Sequence, residues 1–273
     1  MQTSKRDTLY IISNSTAYYL LSYLTVYTLS RLAAVFSAGM FNIPNILFYN
    51  RLEFYGGVDI WTFDSVKVVY SSGNILSFLL TILFLVITIK ALELNGLLKL
   101  FFLWGFIHSI SLLLGSIIIG AFNFEGFGIV LSYLYLTDTS KMLLLFTGII
   151  LLMATGMAMV NPMLFSANIY YNFLTPGMRT NFKLNQFVYP FLISTPILFL
   201  FKFPLSLYES LLILIPMFLI LPLFWSTGNL PTYYFEETEK SVDLNIRLII
   251  ITVGVFILYR LILGVGINFG NNI

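Results

Sequence analysis

Apolar stretches close to twenty residues long recur from one end of the chain to the other, separated by shorter polar segments. Each is long enough to cross a hydrocarbon core of roughly 30 Å as a helix rising about 1.5 Å per residue. Hydropathy marks spans at 16–37, 73–92, 98–120, 141–160, 187–201, 207–226 and 245–266. The pattern predicts an all-α fold, a polytopic transmembrane helical bundle of about seven spans forming a single integral membrane domain over 1–273. Residues 129–136 (IVLSYLYL) are too short to cross alone and read as a re-entrant or interfacial piece.

Three connections are long enough to hold structure: 38–72, 161–186 and 227–244. In the first, Asn50-Arg51-Leu52-Glu53-Phe54 alternates before Gly56-Gly57, and Val58-Asp59-Ile60 resumes the alternation. That predicts a small extramembrane loop or β-hairpin at 38–72, turning at the glycines. An interfacial helix carrying Trp61, Phe63 and Tyr70 is the rival reading. The third connection holds a charge cluster, Glu236-Glu237-Thr238-Glu239-Lys240, which reads as a solvated loop. No fixed-period repeat is visible.

Composition supports the same class. Hydrophobic residues make up 59% of the chain and charged ones 10%, against roughly 25% charged in an average soluble domain. The lipid bilayer is therefore the expected partner, with other membrane proteins beside it, in a cell membrane such as a bacterial inner membrane. The net charge of +2 is spread singly between apolar segments, which argues against nucleic acid. Lys5 and Arg6 precede a mixed polar stretch, and Arg31 interrupts the apolar run, so the segment reads as a retained first span rather than a cleaved leader. With the N-terminus inside, eight Lys and Arg outside the spans fall on the inner side and four on the outer, which favours N-in and C-out.

Candidate chemistry centres on the third span. His108 is the single histidine, near mid-span, where a polar group needs a partner. On a helical wheel His108, Ser109, Ser111, Gly115, Ser116 and Gly120 share one half, and Ile110, Leu113, Leu114 and Ile117 the other. Small and hydroxyl residues let helices approach closely, whereas lipid accepts aliphatic side chains, so the polar face is expected to point inward. His108 then serves either as one interhelical hydrogen bond or as a proton relay or substrate contact.

Other chemistry is thinly supported. His108-Ser109-Ile110-Ser111-Leu112 lacks the glutamate and second histidine of H-E-x-x-H, and there is no cysteine, so no cofactor or catalytic zinc is expected. No G-x-S-x-G and no phosphate-binding G-x-x-x-x-G-K-S/T occurs. Met153 and Met157 are spaced to pair on a soft ion but more often fill gaps between helices. Asn161, Asn168 and Asn172 would form one stripe if a helix continued through Pro162, and are loop residues otherwise. A Ser, Thr and Tyr face on the first span (Ser15, Tyr18, Tyr19, Ser22, Thr25) reads as packing.

Arg31 and Arg260 are the candidate intramembrane charges, each near the end of its span and close enough to reach the interface. With the N-terminus inside, both fall toward the outer side with Glu125, Asp138 and Lys141, where ion pairing or an outward-facing anion site could form. Three functions follow in order: a non-catalytic membrane subunit or accessory protein, a solute permease using the polar face around His108, and an intramembrane enzyme.

Overall fold

The computed structural model describes residues 5–92, 96–235 and 240–270, and the acidic part of the charge cluster, 236–239, lies outside the described residues. The fold is an all-α bundle with seven helical segments long and apolar enough to cross a membrane. They are α1 (Lys5–Met40), α2 (Phe63–Lys90), α3 (Leu98–Gly120), α5 (Asp138–Ala158), α7 with α8 (Pro176–Lys183 and Tyr189–Lys202), α9 with α10 (Leu207–Leu214 and Met217–Trp225), and α11 (Ile246–Gly264). Two shorter helices, α4 (Phe127–Tyr133) and α6 (Val160–Phe165), lie in the connections. The short α4 occupies the segment read as too short to cross.

Local chemistry sets many of these ends. Thr62 and Ser65 form a reciprocal capping box at the start of α2, and the Thr137 and Asn245 side chains accept backbone N–H bonds at the starts of α5 and α11. Pro176 opens α7 at a position where a missing N–H costs nothing. Pro162 does not break a helix running on from α5. The chain turns at Met159 first, and Pro162 sits in the opening turn of α6. Between α7 and α8 the segment Leu184–Val188 is wound as a π-helix, so the fifth span begins well before residue 187.

The hairpin in 38–72 exists with a different turn. Strand β1 (Asn45–Leu47) pairs antiparallel with β2 (Leu52–Phe54) around Phe48–Arg51, where the Phe48 N–H donates to the Arg51 carbonyl at 2.9 Å. The expected second strand, Val58–Ile60, is instead a 3-10 turn feeding the capped start of α2, so it has no strand backbone to offer. A third strand, β5 (Ile267–Asn268), pairs with β1 after α11. At the other end of the bundle β3 (Phe173–Leu174) pairs with β4 (Tyr233–Tyr234). The two small sheets therefore mark opposite faces, and β5 places the end of α11 on the face where α1 ends.

Helix α3 is the most enclosed span, and α5 and α11 form the outer flanks. Its small-residue face allows close approach: a Cβ at Gly115 would lie 2.9 Å from the Ile215 side chain. Trp104 and Ile107 of α3 and Tyr19 of α1 are fully buried at the centre. Trp104 donates its indole N–H to Ser15 at 2.9 Å, and Ser15 donates to the Gln186 carbonyl in the π-helix at 2.6 Å. That chain of bonds locks α1, α3 and the fifth span together.

Candidate ion-paired cavity

Every fourth residue along one side of α1 is Tyr19, Tyr23, Tyr27 and then Arg31, a spacing that keeps side chains on one face. Arg31 ends the row and donates to Glu209. Glu209 stands in the first turn of α9, where the Ser206 hydroxyl accepts the Glu209 N–H at 3.2 Å. A carboxylate there is favoured by the positive end of the helix. Lys202, the last residue of α8, is correspondingly favoured at a helix C-terminus. The short 203–206 connection brings the two together, and the Lys202 ammonium bonds the second Glu209 oxygen at 2.6 Å.

Both Lys202 and Glu209 are buried. The Lys202 ammonium also lies 3.5 Å from the centroid of the Tyr27 ring and 3.2 Å from the Tyr23 hydroxyl, which replace part of its lost hydration. The Tyr27 hydroxyl donates to the Asn50 carbonyl at 3.0 Å, and the Asn50 amide donates to the Pro204 carbonyl at 2.7 Å. Asn50 thus fastens the hairpin to the turn carrying Lys202 and Glu209. The cluster holds two cations against one carboxylate.

Above it lies a cavity of about 370 Å³, on the face where α1 ends. Arg31 and Glu209 line its floor, Ser116 comes from α3 and Asn74 from α2, and Arg51 and Glu125 stand toward the connecting loops. Arg51 is already answered by Glu53, whose carboxyl is held below the usual range by the Tyr55 hydroxyl and by Arg51 itself. A smaller cavity of about 20 Å³ adjoins it between Tyr23, His108, Ser111 and Glu209, with room for about one water. Tyr27, Leu112, Glu209 and Leu212 border both.

The residues singled out in the sequence separate accordingly. His108, Ser109, Ser111 and Ser116 are all buried, so the polar half of α3 does face the bundle. His108 Nε2 is 3.1 Å from the Tyr19 carbonyl, and its ring packs against Tyr19, Tyr23 and Trp104. Ser109 and Ser116 donate to carbonyls of their own helix, at 3.1 and 2.8 Å, rather than bridging helices. The Ser111 hydroxyl makes no hydrogen bond among the described residues and lines the smaller cavity. Arg31 and His108 therefore border adjoining cavities, Arg31 the larger and His108 the smaller.

Arg260 does not join them. It donates to the Phe201 carbonyl at 3.0 Å and covers the Tyr49 ring on the exposed side of α11. At the opposite face Arg179 donates to the carbonyls of Thr227, Leu230 and Pro231, and Lys183 to those of Phe224 and Ser226, satisfying the end of α10. Asn161, Asn168 and Asn172 tie connections and line no cavity described here: Asn161 accepts from Tyr233, Asn168 from Lys99, and Asn172 from the Lys240 N–H. Met153 and Met157 are exposed on the flank of α5. No group of three His, Asp or Glu suited to a metal ion occurs among the described residues.

Glu209 and Lys202 carry the site, yet each sits at a span end, where hydropathy gives a charge no special meaning. The four-residue row ending in Arg31 was the available signal: a tyrosine stripe running into a charge predicts a polar partner on the facing helix. The chain matches no protein-family model, and it is similar to no curated protein and no solved structure.

Proposed function

We propose that the chain is a multi-pass integral membrane protein of a cell membrane, such as a bacterial inner membrane, that binds a small solute in a cavity open to the outside, in the manner of an outward-facing permease. One observation carries this reading: a cavity of about 370 Å³ lined by Arg31 and Glu209, the latter ion-paired to the buried Lys202. Small-molecule sites have volumes of roughly 300–1,000 Å³ with a few placed polar groups. Ionised side chains buried away from water are costly to desolvate, and here they border a space of solute size. A purely structural subunit would account for the spans but leaves the cavity and its charges without a role. An enzymatic reading finds no support in His108, whose recorded hydrogen-bond partner is a backbone carbonyl rather than a hydroxyl or amine.

The absence of cysteine permits a direct test with single cysteines and a membrane-impermeant thiol reagent. Ala34→Cys lines the cavity and should be modified in intact cells. Gly177→Cys, on the opposite face with open space around it, should react only after permeabilisation. Ile150→Cys, exposed on the flank of α5, should resist in both conditions because lipid covers it. An unreactive Ala34→Cys beside a reactive Gly177→Cys would overturn the reading.

A further inference from the structure

The floor of the cavity is unequal in charge and in hydrogen-bonding capacity. Glu209 spends one oxygen on Arg31 and the other on Lys202, so two cations, Lys202 buried and Arg31 half-buried, share one carboxylate and a surplus of one positive charge remains. Arg31 has five N–H donors; one nitrogen bonds Glu209, the Tyr27 hydroxyl is a second partner and the Tyr27 ring lies 5.1 Å away, so donors are left over. The Asn74 amide nitrogen borders the same cavity, is shielded from bulk water and makes no hydrogen bond among the described residues. Its donors need an acceptor. The other acid bordering the space, Glu125, is exposed near the connecting loops, where water screens it.

The walls differ from the floor. Val69, Leu112, Phe127 and Leu212 border the cavity and offer apolar surface. A ligand that complements both would be an acceptor with one negative charge at its deep end and apolar in its body. A cation would meet a carboxylate whose charge is already outweighed by two cations. A neutral solute would leave the surplus charge uncompensated.

We propose that the cavity takes a small monoanion, a carboxylate or phosphodiester group on an apolar body, received by Arg31 and Asn74 while Glu209 keeps both of its cations. This rests on the solute-binding reading above and names the solute's class. The same chemistry is offered by a free organic acid and by the headgroup of an anionic lipid.

The test uses full-length Ala34→Cys protein in phosphatidylcholine vesicles, with the rate of thiol modification read at constant ionic strength. Benzoate should slow modification about fivefold once it exceeds its Kd about fourfold, from the factor 1 + [L]/Kd. Benzamide and benzylammonium, of similar shape, should not. Arg31→Gln should abolish the protection by benzoate. Should that variant fail to accumulate, Asn74→Leu, which disturbs no ion pair, should weaken it. Protection by phosphatidylglycerol vesicles would assign the anion to a lipid headgroup, and protection by benzoate alone to a free acid.

Equal protection by all three aromatic probes, or by benzylammonium alone, overturns the anion class and leaves the cavity reading standing. So does a cysteine that reacts readily and is protected by neither benzoate nor phosphatidylglycerol. A cysteine that never reacts removes the solute-binding reading itself.

Discussion

Glu209 is the residue on which the clustered charges depend, since its two oxygens bond Arg31 and Lys202 separately while the Tyr27 ring lies against both cations. Removing one member of a buried ion pair costs about 3–5 kcal/mol, because the partner is left without compensation. Glu209→Gln should approach that value in thermal unfolding of the purified protein. Lys202→Met should cost clearly less, because Glu209 retains Arg31. Equal losses would mean the two cations do not share the carboxylate. For His108 the surroundings argue packing: the ring meets three aromatic side chains and makes one bond to a carbonyl. His108→Phe should lose only that bond, about 1 kcal/mol in membrane bundles, and His108→Ala about 2–4 kcal/mol by opening a cavity. A His108→Phe variant as damaged as His108→Ala, in the same unfolding measurement, would show that the imidazole matters beyond its volume. At this scale the sequence made Arg31 and His108 visible, since each interrupts an apolar run. It hid Glu209 and Lys202, whose importance comes from two helix ends meeting in space.

The helices themselves were the most legible level. The helix ends at Leu98, Gly120, Leu207 and Trp225 fall within a residue of the hydropathy boundaries. The departures have local causes. The first span extends to Lys5 because the polar residues before it still form helix, and Asn14 there bonds the Asp243 carbonyl and the Asn245 N–H. The fifth span carries a π-helix, which no periodicity of 3.6 announces. The hairpin turned elsewhere because the capping box at Thr62 competes for the residues beyond Gly57. Helix contacts give a further prediction. A Cβ at Gly156 would stand 2.2 Å from the Leu219 backbone oxygen, whereas at Gly115 it meets side-chain carbons of Ile215, at 2.9 Å, rather than a backbone atom. Gly156→Ala should therefore force α5 and α10 apart and cost about 1–3 kcal/mol. Gly115→Ala should cost less, and the reverse order in unfolding experiments would contradict the packing described.

For the molecule as a whole, the seven candidate spans among the described residues place the start of α1 and the end of α11 on opposite faces of the bundle, and the two small sheets report the same parity. The asymmetry between faces is chemical as well. Lys99, Arg179 and Lys183 on the N-terminal face are absorbed by backbone carbonyls and an amide, while Arg31 and Lys202 on the other share a single acid below a cavity. Single-sequence patterning shows how many helices are long and apolar enough to cross a membrane and which face of α3 is polar, but not which loops close over it. The cavity arises from the hairpin, the 122–127 turn and the α8–α9 connection, three segments with no shared sequence signal. The most direct measurement is a cysteine ladder down α3, read as the rate of modification from outside. Ser116→Cys borders the large cavity, Ser111→Cys the small one, and Ser109→Cys neither. The account predicts rapid modification at 116, slow modification at 111 and none at 109. Uniform protection at all three positions, or faster reaction at 109 than at 116, would contradict it.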